Sequence, residues 1–139
     1  NGQEVTGDCV VIGGGLVGAE TAEYLANKGH QVTIVEMMDK IAAGESTTVL
    51  PLMMKDFADH NVKQLVNTKV DHIENNIVYT ANEQIKADTI INALGSKKNI
   101  FDDSSITIPH VCVGDCSGER TADIASAIRT AYKAANEID

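Results

Sequence analysis

Three glycines and one acid carry the chemical signal in this 139-residue chain. Gly13, Gly15 and Gly18 stand in the order G-x-G-x-x-G, with Gly14 a further glycine between the first two. Glu36 follows Gly18 by 18 residues. That arrangement suits a turn that takes the pyrophosphate of a dinucleotide. Gly13 allows a tight turn off a strand, Gly15 puts no side chain between backbone and phosphate, and Gly18 lets the next helix lie close on the strand. A helix opening at Leu16 and Val17 aims unpaired N–H groups and the positive end of its dipole at the phosphates. Glu36 then accepts hydrogen bonds from the adenosine ribose hydroxyls. A carboxylate at that point repels a ribose 2′-phosphate. Met37 and Met38 follow where an NADP site usually offers arginine, and Lys40 is the only nearby cation along the chain. The expectation is therefore NAD(H) in preference to NADP(H). Glu20, two residues past Gly18, reads equally as a solvated helix residue and as a contact near the ribose or nicotinamide. Val70 is a further candidate contact in a later strand. The bland alternative is a glycine turn that only packs a helix on a strand.

Those residues need elements to hold them. Residues 9–12 are a continuous apolar run ending at the glycines, as in a buried strand. Residues 16–28 show helical spacing and stop at Lys28 and Gly29. Residues 31–36 form a second strand that closes on the acid, so the unit is a βαβ crossover. A loop over 39–44 leads to helical spacing over 46–60, with Val49, Leu50, Met53, Met54 and Phe57 on one side and the regular helix starting near Pro51. Residues 62–66 are a third strand. Residues 69–74 and 77–80 flank Asn75-Asn76, a two-residue hairpin turn, and 84–86 adds a third antiparallel strand. Residues 88–94 form another buried strand, stopping at Gly95. A polar connection over 96–106 precedes a last short strand at 111–113, which ends in Gly114-Asp115. A final helix over 121–138 places Ile124, Ile128, Ala131, Ala135 and Ile138 on one face. The expected fold class is α/β: a Rossmann-like parallel sheet with helices on its faces and a small antiparallel crossover sheet.

Composition narrows the partners. The net charge is −9 and the pI is near 4.7, which argues against nucleic acid and against an anionic membrane surface. Aromatic residues are 4% of the chain, with no Trp, too few for a base-stacking platform. Hydrophobic residues at 43% suffice for a core, and its members are mostly aliphatic, as in strands buried on both faces. No apolar run reaches the length of a membrane span, and the opening residues do not read as a signal peptide. Three cysteines at low density suit a reducing, cytoplasmic setting. Other spacings are expected to be structural. Tyr24 and Lys28 make Y-x-x-x-K on the wrong helix for catalysis. Cys112 and Cys116 are C-x-x-x-C, a buried strand thiol and one beyond a turn, with no redox dithiol expected. The four histidines are scattered, so no metal site is expected. Met53-Met54 reads as core packing.

The stretches Val-Ile-Gly-Gly-Gly-Leu-Val-Gly-Ala-Glu-Thr-Ala and Val-Thr-Ile-Val-Glu-Met resemble the pyridine-nucleotide domain of two-dinucleotide flavoproteins, the pyridine nucleotide-disulfide oxidoreductase superfamily. Ala93-Leu94-Gly95 resembles that family's motif at the hinge between its NAD and FAD domains. Val-Cys-Val-Gly-Asp-Cys at 111–116, with a helix after it, resembles the C-terminal FAD motif, in which Asp115 would meet the flavin's ribityl chain and Gly114 would be a further cofactor-binding position. The nearest subgroup is the NADH:flavin oxidoreductases that include 2,4-dienoyl-CoA reductase and 2-enoate reductase. The resemblance runs from residue 8 to residue 138. It implies an NADH-binding domain over 1–105, and over 106–139 a terminal strand and helix that belong to the FAD domain of a parent enzyme. It implies hydride passing from NADH to FAD, for reduction of an enoate or dienoyl-CoA substrate. FMN and an iron–sulfur cluster belong elsewhere in such a parent. This chain has one glycine motif and lacks an earlier one for the ADP part of FAD, so alone it is expected to be inactive and not to hold FAD tightly. The terminal segment would then dock on the first domain, stay disordered, or pair with another copy as a homo-oligomer. Two rivals remain at this point: a fragment of an NADH oxidase or disulfide reductase, and an NAD-sensing module without turnover.

Overall fold

A computed structural model describes residues 4–44, 46, 48–95, 102–117 and 124–137. The chain divides into two compact units, Asn1–Gly95 and Ser96–Asp139.

In the first unit, β1 (Cys9–Ile12) is buried along its whole length, because its alternate side chains enter two different cores. Cys9 and Val11 face Ala19, Ala22, Leu25 and Ala26 of α1 (Leu16–Asn27) and Met53 and Phe57 of α2 (Leu50–Asp59). Val10 and Ile12 face the other way, onto Val78 and Ala87. With no polar face to present, β1 belongs inside a parallel sheet. It pairs in parallel with β2 (Val32–Val35) and with β7 (Thr89–Asn92), and β2 pairs in parallel with β3 (Lys63–Leu65). The strand order is β3-β2-β1-β7.

The helices follow from local chemistry. α1 starts straight after the glycine turn and buries the small residues Ala19, Ala22 and Ala26, so it sits close on the sheet. α2 carries Pro51 in its first turn, where a missing N–H costs nothing, and it anchors through Phe57 and Met53. The opposite sheet face is covered by a three-stranded antiparallel sheet, β4 (Val70–Glu74), β5 (Ile77–Thr80) and β6 (Gln84–Lys86), in the order β4-β5-β6. Asn75 and Asn76 both take positive φ, 48° and 62°, as the two-residue hairpin turn requires.

The second unit holds a 3-10 turn, Gly114–Cys116, and α3 (Ile124–Asn136). One expectation fails here. Residues 111–113 form no strand: Val113 is extended, at φ −127° and ψ 163°, but no strand pairs with this stretch among the described residues. The apolar stripe of α3 is not the face packed within this unit. Ile124, Ile128, Ala131 and Ala135 are all exposed, and the buried residues are Ser126, Thr130 and Ala134. The reason is local. A short turn approaches a helix closely only over small side chains, and Thr130 Oγ1 accepts the Gly114 N–H at 2.8 Å while donating to Ser126 O. Ile138, and the first residues expected in this helix, 121–123, lie outside the described residues, as do residues 96–101 of the connection.

Candidate functional site

The chain leaves β1 through Gly13, whose φ of +100° and whose distance of 2.6 Å from a would-be Cβ to Ala93 O both exclude a side chain. Gly18 is excluded more severely, since a Cβ there would lie 1.9 Å from Gly13 O. That contact is the close approach of helix to strand that the third glycine of the motif permits. Gly15 differs from both: a Cβ there meets nothing within 4 Å. It caps α1 in extended conformation, and Leu16 and Val17 behind it are exposed. The N–H groups of that first turn have no carbonyl a turn earlier to bond, so the helix presents donors and the positive end of its dipole to open space.

Glu36, just past β2, is 8% exposed. Its Oε2 accepts the Gly14 N–H at 2.6 Å and its Oε1 accepts the Met38 N–H at 2.7 Å. The acid therefore fastens the glycine turn to the end of the second strand. Two carboxylate oxygens offer about four acceptor sites, so Glu36 keeps capacity for further donors. The middle glycine is constrained by the same contact, because a Cβ on Gly14 would meet Ile41 Cδ1 at 2.5 Å and Glu36 Cβ at 3.0 Å. Ala42 N–H donates to Gly14 O at 2.7 Å, which draws the 39–44 loop over the turn.

At the carboxyl ends of the strands lies a crevice of about 150 Å³, where ligands of open α/β sheets sit. Among the expected site residues it gathers Gly13, Glu36, Met37, Val70 and Leu94. Ala93 packs beside Gly13 and Gly18. Leu94 is 69% exposed, its N–H bonds Asn92 Oδ1, and Gly95 follows with φ +87°. Glu20 is exposed on α1, where its charge helps to hold the Glu23 carboxyl above its ordinary range, after burial and Asp56. Gly114 and Asp115 belong to the second unit; Gly114 has φ +67° and Asp115 is exposed.

The sequence reading missed Thr68 and Lys69, which line the crevice with Glu36; Lys69, not only Lys40, is a cation near this acid. A signal existed. β3 lies beside β2, so the residues after β3 must reach the same sheet edge, and Thr68 N–H does bond Glu36 O at 2.8 Å. Tyr24 and Lys28 sit on the exposed side of α1, with the ammonium 5.5 Å from the ring centre, a surface cation–π pair. Met53 is buried and Met54 packs against the same core. No helix among the described residues is long and apolar enough to cross a membrane.

The family model for pyridine nucleotide-disulphide oxidoreductases matches residues 2–111. The chain belongs to the pyridine nucleotide-disulphide oxidoreductase family. Members are enzymes that pair a pyridine nucleotide with FAD. The chain is 46% identical over 138 residues to a bilirubin reductase of Mediterraneibacter gnavus, covering 94% of this chain and 21% of that protein. It is 31% identical over 141 residues to a cinnamate reductase of Clostridium sporogenes, covering 93% of this chain and 21% of that one. A solved 2-naphthoyl-CoA reductase in complex with 2-naphthoyl-CoA superposes with a TM-score of 0.75 at 26% identity, over 98% of this chain and 22% of that chain. The chain thus spans about a fifth of the length of these oxidoreductases.

Proposed function

We propose that the first unit of this oxidoreductase chain seats NAD(H), preferring it to NADP(H), and presents the nicotinamide to a flavin in a longer reductase of unsaturated carbonyl compounds. The observation that carries the reading is the pairing of an open Gly15 with Glu36, a buried carboxylate that has acceptor sites to spare. Pyrophosphate lies over Gly15 at the start of α1, and Glu36, in the crevice with Met37 and Val70, takes the adenosine ribose hydroxyls. Ala93 and Leu94 adjoin Gly13, and Gly95 follows them as the remaining cofactor contact in this reading. When bound, NADH supplies the hydride. The chain's own residues bind and orient it, and hydride transfer itself requires no acid or base from them.

The residues present do not fit FAD by themselves. There is one G-x-G-x-x-G turn, and the Gly114 N–H is already bonded to Thr130. Gly114 and Asp115 are flavin contacts only beside the FAD domain of a longer chain, to which residues 106–139 belong in this reading. The exposed apolar stripe of α3 supports that assignment. The relatives named for bilirubin and cinnamate support an unsaturated substrate. The same reading puts the protein in the cytoplasm, where pyridine nucleotides are available.

Calorimetric titration with NADH and NADPH tests the site. NADH should bind more tightly, and Glu36→Arg should flatten or reverse the preference. Tighter NADPH binding by the unmodified chain would refute the role given to Glu36.

A further inference from the structure

Cys112 and Cys116 stand on either side of the bend at Gly114, where φ of +67° reverses the chain. The Cys116 thiol folds back over the turn and donates to Val113 O at 3.0 Å. The Cys112 thiol lies near enough to the Cys116 side chain to be pushed up by it. Cys112 is half-buried and lines a small cavity with Ser117, Thr130 and Lys133, whereas Cys116 is exposed. Burial, the Cys116 sulfur and the Asp103 carboxylate all push the Cys112 thiol up. Both are free thiols. Cys9 is a different case, 1% exposed in the core of the other unit. The spacing alone argues against a redox dithiol, but the bend at Gly114 folds the Cys116 thiol back over the turn toward the Cys112 side.

We propose that Cys112 and Cys116 form a reversible redox pair that closes a disulfide across the 3-10 turn when a peroxide oxidises the exposed sulfur. The Cys116 sulfur attacks a peroxide oxygen. An S–O bond forms, the O–O bond breaks, and the first water leaves with the thiol's proton. The Cys112 sulfur then attacks the Cys116 sulfenic sulfur. The S–S bond forms, the S–O bond breaks, and the hydroxyl leaves as water with the Cys112 proton. Two thiols lose two electrons and two protons, and hydrogen peroxide becomes two waters. A small dithiol reverses the closure by exchange. Asp115 lies inside the closed loop, so oxidation clamps its backbone.

The test is to treat the full chain with hydrogen peroxide, quench with an alkylating reagent under denaturing conditions, and weigh the chain and its tryptic peptides. The peptide from Asn99 to Arg120 contains both cysteines and no internal lysine or arginine. It should lose two hydrogens and take up no alkyl group, while Cys9 remains alkylatable and dithiothreitol restores both thiols. Closure should be faster in the folded chain than in urea. C112S should leave Cys116 to advance to sulfinic acid. Sulfinic acid at Cys116 with Cys112 still alkylatable in the unmodified chain, a disulfide joining two chains, no oxidation, or closure no faster than in urea would each overturn the proposal. The decisive readings need no variant, so a folding defect in C112S cannot obscure them.

Discussion

Gly18→Ala and Gly15→Ala add the same methyl group to the same motif and should have opposite signatures. At Gly18 the new Cβ would sit 1.9 Å from Gly13 O, against about 3.4 Å for ordinary contact. Relief requires α1 to back away from β1 by about 1.5 Å, because the atom struck is backbone and cannot rotate aside. A radial gap of 0.5–1 Å already forfeits roughly a quarter to a half of the dispersion energy across it, and the interface holds Cys9 and Val11 against Ala19 and Ala22. The cost belongs at the top of the overpacking range, about 3 kcal/mol. At roughly 4–8 °C per kcal/mol for a unit of this size, the melting temperature should fall by about 12–24 °C. At Gly15 the added carbon meets nothing within 4 Å and the backbone is extended, so stability should change by less than about 1 kcal/mol. NADH affinity should nonetheless drop, because the methyl group projects where the pyrophosphate must approach. Thermal melts followed by circular dichroism, with calorimetric NADH titration of each variant, separate the two effects. A Gly18→Ala protein melting with the unmodified chain would refute the packing argument. A Gly15→Ala protein with undiminished NADH affinity would refute the proposed phosphate seat.

Burial first, and then the Asp56 and Glu20 carboxylates, hold the Glu23 carboxyl above its ordinary range. An acid raised in the folded state binds more protons folded than unfolded, so stability falls as pH climbs from its ordinary value through the raised one. Glu23→Gln should therefore raise the melting temperature at neutral pH, with the advantage shrinking toward about pH 4; a lower melting temperature at neutral pH contradicts this. Phe57→Ala should cost about 3–5 kcal/mol in urea unfolding, since Phe57 is fully buried. Tyr24→Ala, at a ring 61% exposed, should cost no more than about 1 kcal/mol, and equal losses would show that the core has been misplaced.

Much of the first unit was legible because its signals are local and agree with one another. β1 reads as buried on both faces from four consecutive apolar residues, and the hairpin reads from Asn75-Asn76, two residues that tolerate positive φ. The end of β2 reads from Glu36 by spacing. What was not legible depends on which element lies beside which. Lys69 is 33 residues from Glu36 along the chain and yet shares its crevice, because β3 runs parallel to β2. In α3 the spacing of Ile124, Ile128, Ala131 and Ala135 names an apolar face, but periodicity does not name the partner that covers it.

By itself the sequence determined that a strand must turn at Gly13 into a helix, and that an acid must follow at the end of the next strand. Backbone sterics at glycine and the burial of consecutive apolar residues act over a few positions and need no knowledge of the rest. Only the tertiary structure decided that Glu36 clasps the glycine turn through the Gly14 and Met38 N–H groups, and that Thr130 takes the Gly114 N–H. Those contacts need a length of chain to bend back with atomic accuracy, and residue types alone do not specify such closure.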